Sequence, residues 1–339
     1  MSIELRSDTF TQPTAGMLSA MFEAKTGDDV FGEDPTVNEL EARTATLFGM
    51  EAGLFCPSGT MTNQIAIKVH TQPGDEVICD ELSHVYQYEG GGIAFNAGCS
   101  VRLLHGDRGR ITARQVEEAI NPDDVHKAHS RLVVLENTAN RGGGACYDFE
   151  EILGIKELAR QHQLGFHLDG ARLWNAMVAR KETPQQYGAA FDSISVCFSK
   201  GMGTPVGSVL LGTAEFIQKA RRVRKVFGGG MRQAGYLAAA GIYALEHHLP
   251  LLSMDHDHAK KTAAVLAQKN WVEEIFPVET NILIFRTRQD TPAKTIVDKL
   301  AKEGVKCLTI NAHAIRMVFH LGVSQHDTER LLGILDAMD

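Results

Sequence analysis

Lys200 follows an apolar stretch, Val196-Cys197-Phe198, and stands among small residues in Ser199-Lys200-Gly201-Met202-Gly203. Such a lysine is poorly solvated, and because desolvation disfavours the charged ammonium, we expect its pKa to be lowered. A neutral amine is the form that makes a Schiff base with an aldehyde. On position alone, a simpler role is that of a surface lysine whose stem lies along apolar residues, so the interpretation depends on further residues.

Two other segments supply groups that suit one aldehyde cofactor. Asp169 lies at the predicted carboxyl end of a strand, where open α/β sheets bind ligands. A carboxylate there can keep the ring nitrogen of pyridoxal phosphate protonated, although a helix N-cap is an equally simple role. Residues 56–63 have the pattern of a strand, a tight turn and a helix start, whose free N–H groups suit a phosphate. The three segments together predict a pyridoxal-phosphate site.

Other common site signatures are absent from the sequence. It contains no G-x-x-x-x-G-K-[ST], no G-x-G-x-x-G after a strand, no H-E-x-x-H and no G-x-S-x-G. His256-Asp257-His258 offers two imidazoles, but among Asp and Lys neighbours we expect a solvated helix face there. The sequence therefore predicts no metal site.

The elements that must position these residues follow an α/β pattern. From about residue 50 to about residue 225, short β-branched runs alternate with longer amphipathic stretches, which indicates β-α-β crossovers and a mostly parallel sheet. The seven predicted strands are residues 53–56, 76–79, 101–105, 131–136, 165–168, 193–198 and 208–211. Asp34-Pro35 predicts the start of a helix through Phe48, and Asp148 the start of one to about Gln163.

The chain length of 339 residues suits two domains. After the Ala- and Gly-rich residues 231–248, the pattern changes to helix, strand 281–286, helix, strand 315–319 and helix, which is typical of a small α/β unit. We therefore predict a large domain over residues 15–249, a small C-terminal domain over residues 250–339, and an N-terminal segment over residues 1–14.

Composition narrows the class of protein and its partners. Hydrophobic residues make up 44% of the chain and charged residues 22%, which is typical of a globular protein. The net charge of −8 disfavours nucleic acid as a partner. We expect no membrane partner, since the apolar run 235–245 is too short to span a bilayer, and the charged N-terminus lacks an export signal. Six scattered cysteines without a C-x-x-C pair favour a reducing cytoplasm.

Five long motifs occur in a characteristic order along the chain. They are LRSDT (5–9), GDDVFGEDPTV (27–37), HLDGAR (167–172), SKGMGTPVGS (199–208) and GGGMRQ (228–233). With these motifs the chain resembles the low-specificity L-threonine aldolases over nearly its whole length. The resemblance implies the pyridoxal-phosphate-dependent transferase fold of type I, with a mostly parallel seven-stranded sheet domain and a small α/β domain. It also implies cleavage of L-threonine, L-allo-threonine or related β-hydroxy-α-amino acids to glycine and an aldehyde, here acetaldehyde.

The resemblance assigns roles toward the cofactor residue by residue. Lys200 would form the Schiff base, Asp169 would pair with the ring nitrogen, and His84 would stack on the ring. The remaining implied cofactor-binding residues are Ser58, Gly59 and Thr60 for the phosphate, Ala171 beneath the ring, Arg172, and Lys225 and Arg232. The last two would reach the phosphate of a neighbouring subunit, so the resemblance also implies a homodimer at least, and usually a homotetramer, with shared active sites.

Substrate-binding residues are implied in the same way. Ser7, which would bring the N-terminal segment into the active site, and Arg172 and Arg316 would hold the carboxylate of an amino-acid substrate. Arg316 lies in an apolar strand pattern, where a guanidinium is costly unless it meets an anion. His84 or His126, directly or through water, would take the β-hydroxyl proton, and both stay open as the base.

One departure and two alternatives accompany this interpretation. Ala139 stands where many relatives carry histidine, which alters the polar network behind the pocket. Another pyridoxal-phosphate-dependent β-eliminating or carbon–carbon lyase would share the same cofactor residues. A non-catalytic relative that only binds the cofactor is the second alternative. The set Lys200, Asp169, His84 and Arg316 argues against it, because a binding module has no use for a substrate clamp.

Overall fold

The computed structural model describes residues 2–338, so Met1 and Asp339, the outer residues of the two predicted terminal segments, lie outside the described residues. After a short strand β1 (Ile3–Glu4), the strands of the large sheet are β2 (Ala52–Cys56), β3 (Glu76–Asp80), β4 (Ser100–Leu104), β5 (Ser130–Glu136), β6 (Gly165–Gly170), β7 (Ser193–Cys197) and β8 (Ser208–Gly212). Their order is β2-β8-β7-β6-β5-β3-β4. β8 runs in the opposite direction to the other six strands. The predicted α/β fold with seven strands, mostly parallel, is confirmed.

Helices cover this sheet. They are α1 (Ala15–Phe22), α2 (Pro35–Phe48), α3 (Gly59–His70), α4 (His84–Gln87), α5 (Ala113–Ala119), α6 (Phe149–Gln161), α7 (Leu173–Arg180), α8 (Pro184–Ala190), α9 (Ala214–Val226) and α10 (Gly235–His247). Both predicted N-caps are present: Asp34 accepts the N–H groups of Thr36 and Val37, and Asp148 accepts that of Glu150. Strand β7 is buried at every residue although it contains Ser193 and Ser195, and its Ile194 and Val196 belong to the main apolar cluster.

A smaller antiparallel sheet forms the C-terminal part, in the order β12-β13-β10-β9. Its elements, with the two-residue β11, are α11 (Leu252–Leu266), β9 (Val272–Ile275), β10 (Ile282–Thr287), α12 (Ala293–Lys302), β11 (Val305–Lys306), β12 (Leu308–Asn311), β13 (Ala314–Val318) and α13 (Gln325–Asp336). The sequence predicts only β10 and β13. Strands β9 and β12 are largely exposed, so they lack the apolar pattern that identifies a strand.

The N-terminal residues pack on this smaller unit. β1 pairs in parallel with β11, and Ile3 and Leu5 are buried in the same apolar cluster as β10 and β13. The chain then passes to the large sheet, where Asp8 is fully buried. The division into domains at residue 250 stays a prediction.

Helix α11 contradicts the expectation that His256 and His258 lie on a solvated helix face. His256 and His258 are both buried, so a solvated face is wrong for them, and only Asp257 between them is exposed. The reason is that α11 is covered on two sides: His256 Nε2 lies 3.2 Å from Asn175 Nδ2 of α7, and His258 Nε2 lies 3.2 Å from Gln325 Oε1 of α13.

None of the helices between residues 2 and 338 is long and apolar enough to cross a bilayer.

Candidate active site

The carboxyl ends of the parallel strands meet at one edge of the large sheet. β5 ends in Glu136, β6 in Asp169 and Gly170, and β7 in Cys197, with Lys200 in the loop just beyond. Asp169 lies close enough to Lys200 for its charge to stabilise the ammonium. The structure therefore brings together the two residues on which the cofactor prediction depends.

Lys200 is half-buried, and its Nζ lies 3.6 Å from Cys197 Sγ. Burial by itself lowers the pKa of Lys200, but the Cys197 sulfur and the carboxylates of Asp169 and Asp8 outweigh burial and the opposing charge of Arg172, so the pKa is raised. The expected lowering of this pKa is thus wrong for the free amine. Desolvation is present as predicted, but the sequence did not indicate how many negative groups surround the lysine.

One carboxylate oxygen of Asp169 is an unsatisfied hydrogen-bond acceptor among the described residues. Its Oδ1 accepts the N–H of Ala171 at 3.1 Å, whereas Oδ2 is buried and has no hydrogen-bond partner among residues 2–338. Leaving a buried carboxylate oxygen unpaired is costly. A protonated ring nitrogen would satisfy it, so this atom fits pyridoxal phosphate.

The amino end of α3 fits the phosphate of that cofactor. Ser58 caps the helix and its Oγ accepts the N–H of Met61 at 3.2 Å. The N–H groups of Gly59 and Thr60, in the first turn, have no partner within the helix. An anion at this position also meets the positive end of the helix dipole.

His84 lies beside these groups at the start of α4. Its Nδ1 is 2.9 Å from Glu89 Oε1, and atoms of His84, Glu89 and Asp169 lie within 4.8 Å of one another. Burial lowers the pKa of His84, but the hydrogen bond that His84 donates to Glu89 and the charges of Asp169 and Glu136 outweigh burial and raise it. The imidazole is therefore held beside the space that a cofactor ring bound to Lys200 and Asp169 would occupy.

Glu136 connects His84 to the smaller unit. Its carboxylate accepts the backbone N–H of His84 at 2.7 Å and that of Asn140 at 2.9 Å. The Asn140 side chain in turn accepts a hydrogen bond from Arg316 Nη1 at 2.8 Å. Burial and the charge of Asp169 raise the pKa of Glu136 to about 7. One carboxyl group thus positions both the histidine and the loop that holds the arginine.

Arg316 of β13 is a half-buried cation. Its Nη2 donates to the carbonyl of Arg6 at 3.1 Å, and in the part of the chain that the structure describes it has no carboxylate partner. Burial, with the positive charges of Arg172 and Arg141, lowers the pKa of Arg316 to about 10. An arginine in this state favours an anion such as a carboxylate.

Arg172 and Ser7 lie at the same edge. Arg172 forms a buried two-point ion pair with Asp8, with Nε–Oδ2 at 2.7 Å and Nη2–Oδ1 at 2.8 Å. Burial opposes ionisation of Asp8, but the pairing with Arg172 holds its pKa below the usual value. Ser7 caps the short helix at residues 8–10 and its Oγ accepts the N–H of Thr9 at 3.2 Å. The Asp8 pair leaves Nη1 of Arg172 for a ligand.

Three predicted residues lie outside this cluster within one chain. His126 is exposed, pairs with Asp124 at 2.8 Å, and precedes the amino end of β5, the edge opposite to Asp169. Lys225 is exposed and lines a groove beside Gly230. Arg232 is exposed and pairs with Asp28 at 2.9 Å.

Sequence reasoning missed Glu136, Glu89 and Asp8. Glu136 ends a predicted strand, so the rule that identified Asp169 would also have found it. Glu89 gives no such signal, because its role depends on Asn63 and Gln64, which donate to it from α3.

A cavity of about 310 Å³ opens next to His84 and Arg316. Its lining residues are His84, Tyr88, Asn140, Arg141, Leu308, Thr309, Ile310 and Arg316. A larger cavity of about 630 Å³ lies between α12 and α13 and contains none of the predicted site residues. The smaller cavity is therefore the candidate substrate pocket.

Comparisons with known proteins identify the family of this chain. The beta-eliminating lyase family matches residues 4–290. Low-specificity L-threonine aldolase 1 of Arabidopsis thaliana is 40% identical over 339 residues, covering 98% of this chain and 94% of its own. The low specificity L-threonine aldolase of Escherichia coli K12 is 40% identical over 325 residues, covering 95% of each chain.

A solved structure gives the same result for the fold. Leishmania major threonine aldolase superposes with a TM-score of 0.86 over 98% of both chains, at 20% sequence identity. The fold of type I implied by the resemblance is thus confirmed. The chain belongs to the beta-eliminating lyase family, in the group of the low-specificity L-threonine aldolases.

Proposed function

We propose that the protein is a pyridoxal-phosphate-dependent aldehyde-lyase that cleaves L-threonine, L-allo-threonine and related β-hydroxy-α-amino acids to glycine and an aldehyde. The observation that carries the proposal is that Lys200 and the unpaired buried oxygen of Asp169 lie at one sheet edge. Hydrogen bonds through Glu136 and Asn140 link this edge to Arg316, which has no carboxylate partner among the described residues. The lysine and carboxylate suit the cofactor, and the arginine suits the substrate carboxylate. The names of the relatives fit the same reaction.

Residues at the sheet edge hold the cofactor. When bound, pyridoxal phosphate supplies a conjugated ring that accepts the electrons of a bond broken at Cα. Lys200 would hold it covalently, and Asp169 Oδ2 would accept from its protonated ring nitrogen. The other residues that would hold the cofactor are Ser58, Gly59 and Thr60 for the phosphate at the start of α3, and Ala171 and His84 for the ring.

The carboxylate clamp decides which bond breaks. Arg316 binds the substrate carboxylate, assisted by Arg172 Nη1 and by Ser7 from the N-terminal segment. Only the Cα bond perpendicular to the cofactor ring can release its electrons into the ring. A carboxylate held by Arg316 would therefore be kept from being the group that leaves, which favours cleavage of Cα–Cβ over decarboxylation.

The reaction also needs a base for the β-hydroxyl proton. His84 is favoured by its position, since Glu89 engages Nδ1 and leaves Nε2 to accept a proton directly or through water. His126 stays the second candidate, but its exposed side chain pairs with Asp124 away from the cluster of its own chain.

The two alternatives use the same cofactor residues and differ in the chemistry after the cofactor is bound. A different β-eliminating or carbon–carbon lyase would retain Lys200 and Asp169 and act on another β-substituent. A non-catalytic relative would have no use for Arg316 or for the network from Glu136 to His84. The three functions therefore differ in which amino acids the protein converts.

We propose an assembly of at least two subunits, and of four as implied by the resemblance, with shared active sites. Phe31 and Val226 are 74% and 82% exposed, and they adjoin Val30 and Lys225, which line one groove. Exposed apolar residues beside cations suit a second copy of the chain. Lys225 and Arg232 would then reach the partner's phosphate.

All six cysteines are free, which supports a cytoplasmic location.

The test is to mix the purified holoenzyme with L-threonine and, separately, with L-allo-threonine, and to assay acetaldehyde and glycine. Equal amounts of both products are expected, and the ratio of rates gives the preference at the β-carbon. Serine, phenylserine and cysteine are assayed in parallel. A yellow protein that makes neither acetaldehyde nor glycine would exclude the aldolase and leave the lyase or binding alternatives.

A further inference from the structure

The candidate substrate pocket carries one more positive charge than threonine requires. Arg316 and Arg141 both line it, and the described residues of its wall include no acidic side chain. A substrate with a single carboxylate neutralises only one of the two guanidinium groups. Arg141 has no role in the reaction proposed above.

Arg141 is presented by a fixed stretch of backbone. On one side, Asn140 is tied to Glu136 through its N–H at 2.9 Å and to Arg316 through its side chain at 2.8 Å. On the other side, the Gly142 carbonyl accepts from Arg108 Nε at 2.9 Å, and a Cβ at Gly142 would lie 1.9 Å from the Arg108 carbonyl oxygen. The two arginines of the pocket are thus held in a constant relation by neighbouring residues.

The Arg141 side chain itself has no neutralising partner. Between residues 2 and 338 it forms no hydrogen bond or ion pair, and its guanidinium lies over the Tyr88 ring at 5.9 Å from the ring centre. The pKa of Arg316 is lowered mainly by burial, and the positive charges of Arg172 and Arg141 lower it further. The remaining wall, including Leu308 and Ile310, offers apolar contact.

We propose that Arg141 binds a second carboxylate, so that the pocket accepts β-hydroxy-α-amino acids whose β-substituent is itself an acid. The smallest such compound is 3-hydroxyaspartate. The inference rests on the proposed function, because Arg316 must hold the α-carboxylate for Arg141 to meet the other one.

The reaction with this substrate balances without a further reagent. The β-hydroxyl loses its proton to the base, its oxygen becomes the aldehyde oxygen, and the Cα–Cβ bond breaks. The electron pair left at Cα takes up a proton and gives glycine, while the other fragment leaves as glyoxylate. Nothing is oxidised or reduced by an outside partner.

The experiment compares holoenzyme variants on three substrates: L-3-hydroxyaspartate in its threo and erythro forms, its neutral analogue 3-hydroxyasparagine, and L-threonine. Glyoxylate and glycine in equal amounts are expected from wild type. In Arg141→Gln we expect the ratio of kcat/KM for 3-hydroxyaspartate to that for L-threonine to fall about tenfold or more, mainly through KM, since a charge-assisted hydrogen bond is lost. Arg141→Lys should retain part of the ratio.

Two controls make the result specific to charge at this position. Arg286→Gln removes an exposed guanidinium of β10 that pairs with Glu274 at 3.6 Å, and should leave the ratio unchanged. The ratio of 3-hydroxyasparagine to L-threonine should not change in Arg141→Gln. Threonine cleavage without glyoxylate formation, or an unchanged ratio in Arg141→Gln, would overturn the inference alone. Failure to cleave any of the substrates would overturn the proposed function and the inference together.

Discussion

Nδ1 of His84 lies 2.9 Å from Oε1 of Glu89, a buried carboxylate that also accepts from Asn63 at 2.9 Å and from Gln64 at 2.6 Å. Because both oxygens of Glu89 accept hydrogen bonds from side-chain amides, we assign Nδ1 of His84 as the donor to Glu89, which leaves the lone pair of a neutral imidazole on Nε2. Glu89 therefore fixes both the tautomer and the ring orientation of the candidate base.

Glu89→Gln tests this relationship. Since the charge of Glu89 raises the pKa of His84, its removal should shift the acidic limb of the kcat/KM profile to lower pH. The tautomer would no longer be fixed, so kcat for L-threonine should fall about tenfold or more, because a general base contributes roughly 100- to 10,000-fold. Steady-state kinetics across pH measure both effects.

The control for this variant is Glu81→Gln, which removes an exposed carboxylate beside His105 and should alter neither kcat nor the pH profile. Absorbance of the bound cofactor confirms that the variant is loaded. If Glu89→Gln kept the wild-type kcat and acidic limb, His84 would not be the base that Glu89 positions.

Arg316→Ala is expected to lower kcat/KM for L-threonine by roughly 30- to 200-fold, the equivalent of about 2–3 kcal/mol for a charge-assisted clamp. The physical reason is that Arg316 has no carboxylate partner among the described residues, so its charge is free for the substrate. Arg286→Ala, on the neighbouring strand and exposed, is the matched control. Unchanged kinetics in Arg316→Ala would remove Arg316 from the site.

Lys200→Ala is expected to abolish turnover and the yellow, borohydride-reducible chromophore of the holoenzyme. The physical reason is that Lys200 lies within electrostatic reach of Asp169, whose Oδ2 is buried and unpaired among the described residues. Visible absorbance before and after borohydride measures the loss. Lys219→Ala, which removes an exposed lysine paired with Glu215 at 2.7 Å, should keep both colour and activity. A fully active Lys200→Ala protein would reject the assignment of Lys200.

Most of the large sheet was predictable because strands such as β8 are fully buried and mainly apolar. The same rule placed Asp169 and Lys200 at the carboxyl edge. Strands β9 and β12 were missed because they are short and mostly exposed, and pair with partners that the sequence pattern cannot identify.

The parts of the site that escaped prediction are those made by contacts between distant residues. Glu89 acquires its role from α3. The pKa of Lys200 is raised by Cys197 and Asp169 and, to a smaller extent, by Asp8, which lies in the N-terminal segment. His256 has polar neighbours in sequence but is covered by α7 in the fold. The hydrophobic periodicity of a sequence indicates the helix or strand to which a residue belongs. Whether a polar residue such as His256 is buried depends on the other elements that pack against that helix or strand.

Asp255 of α11 offers a test of such burial through pH. It is buried within electrostatic reach of Asp8, which Arg172 holds ionised. Burial, followed by the charge of Asp8, raises the pKa of Asp255 to about 8 from an ordinary value of 3.8. Between pH 3.8 and about 8 the folded protein therefore keeps a proton on Asp255 that the unfolded chain has already released. The contribution of Asp255 to the free energy of unfolding is full below this window and is lost as pH rises through it.

Asp255→Asn carries a neutral side chain of the same shape at every pH and should not lose that stability. We expect the thermal midpoints of wild type and variant, both saturated with cofactor, to be similar near the low end of the window. The variant should then become increasingly more stable than wild type as pH approaches 8. Asp257→Asn, at the exposed neighbouring position, should follow wild type at every pH. A wild-type protein more stable than Asp255→Asn at the upper end would mean that Asp255 is ionised in the fold, and that α11 holds a charge pair there instead of a proton.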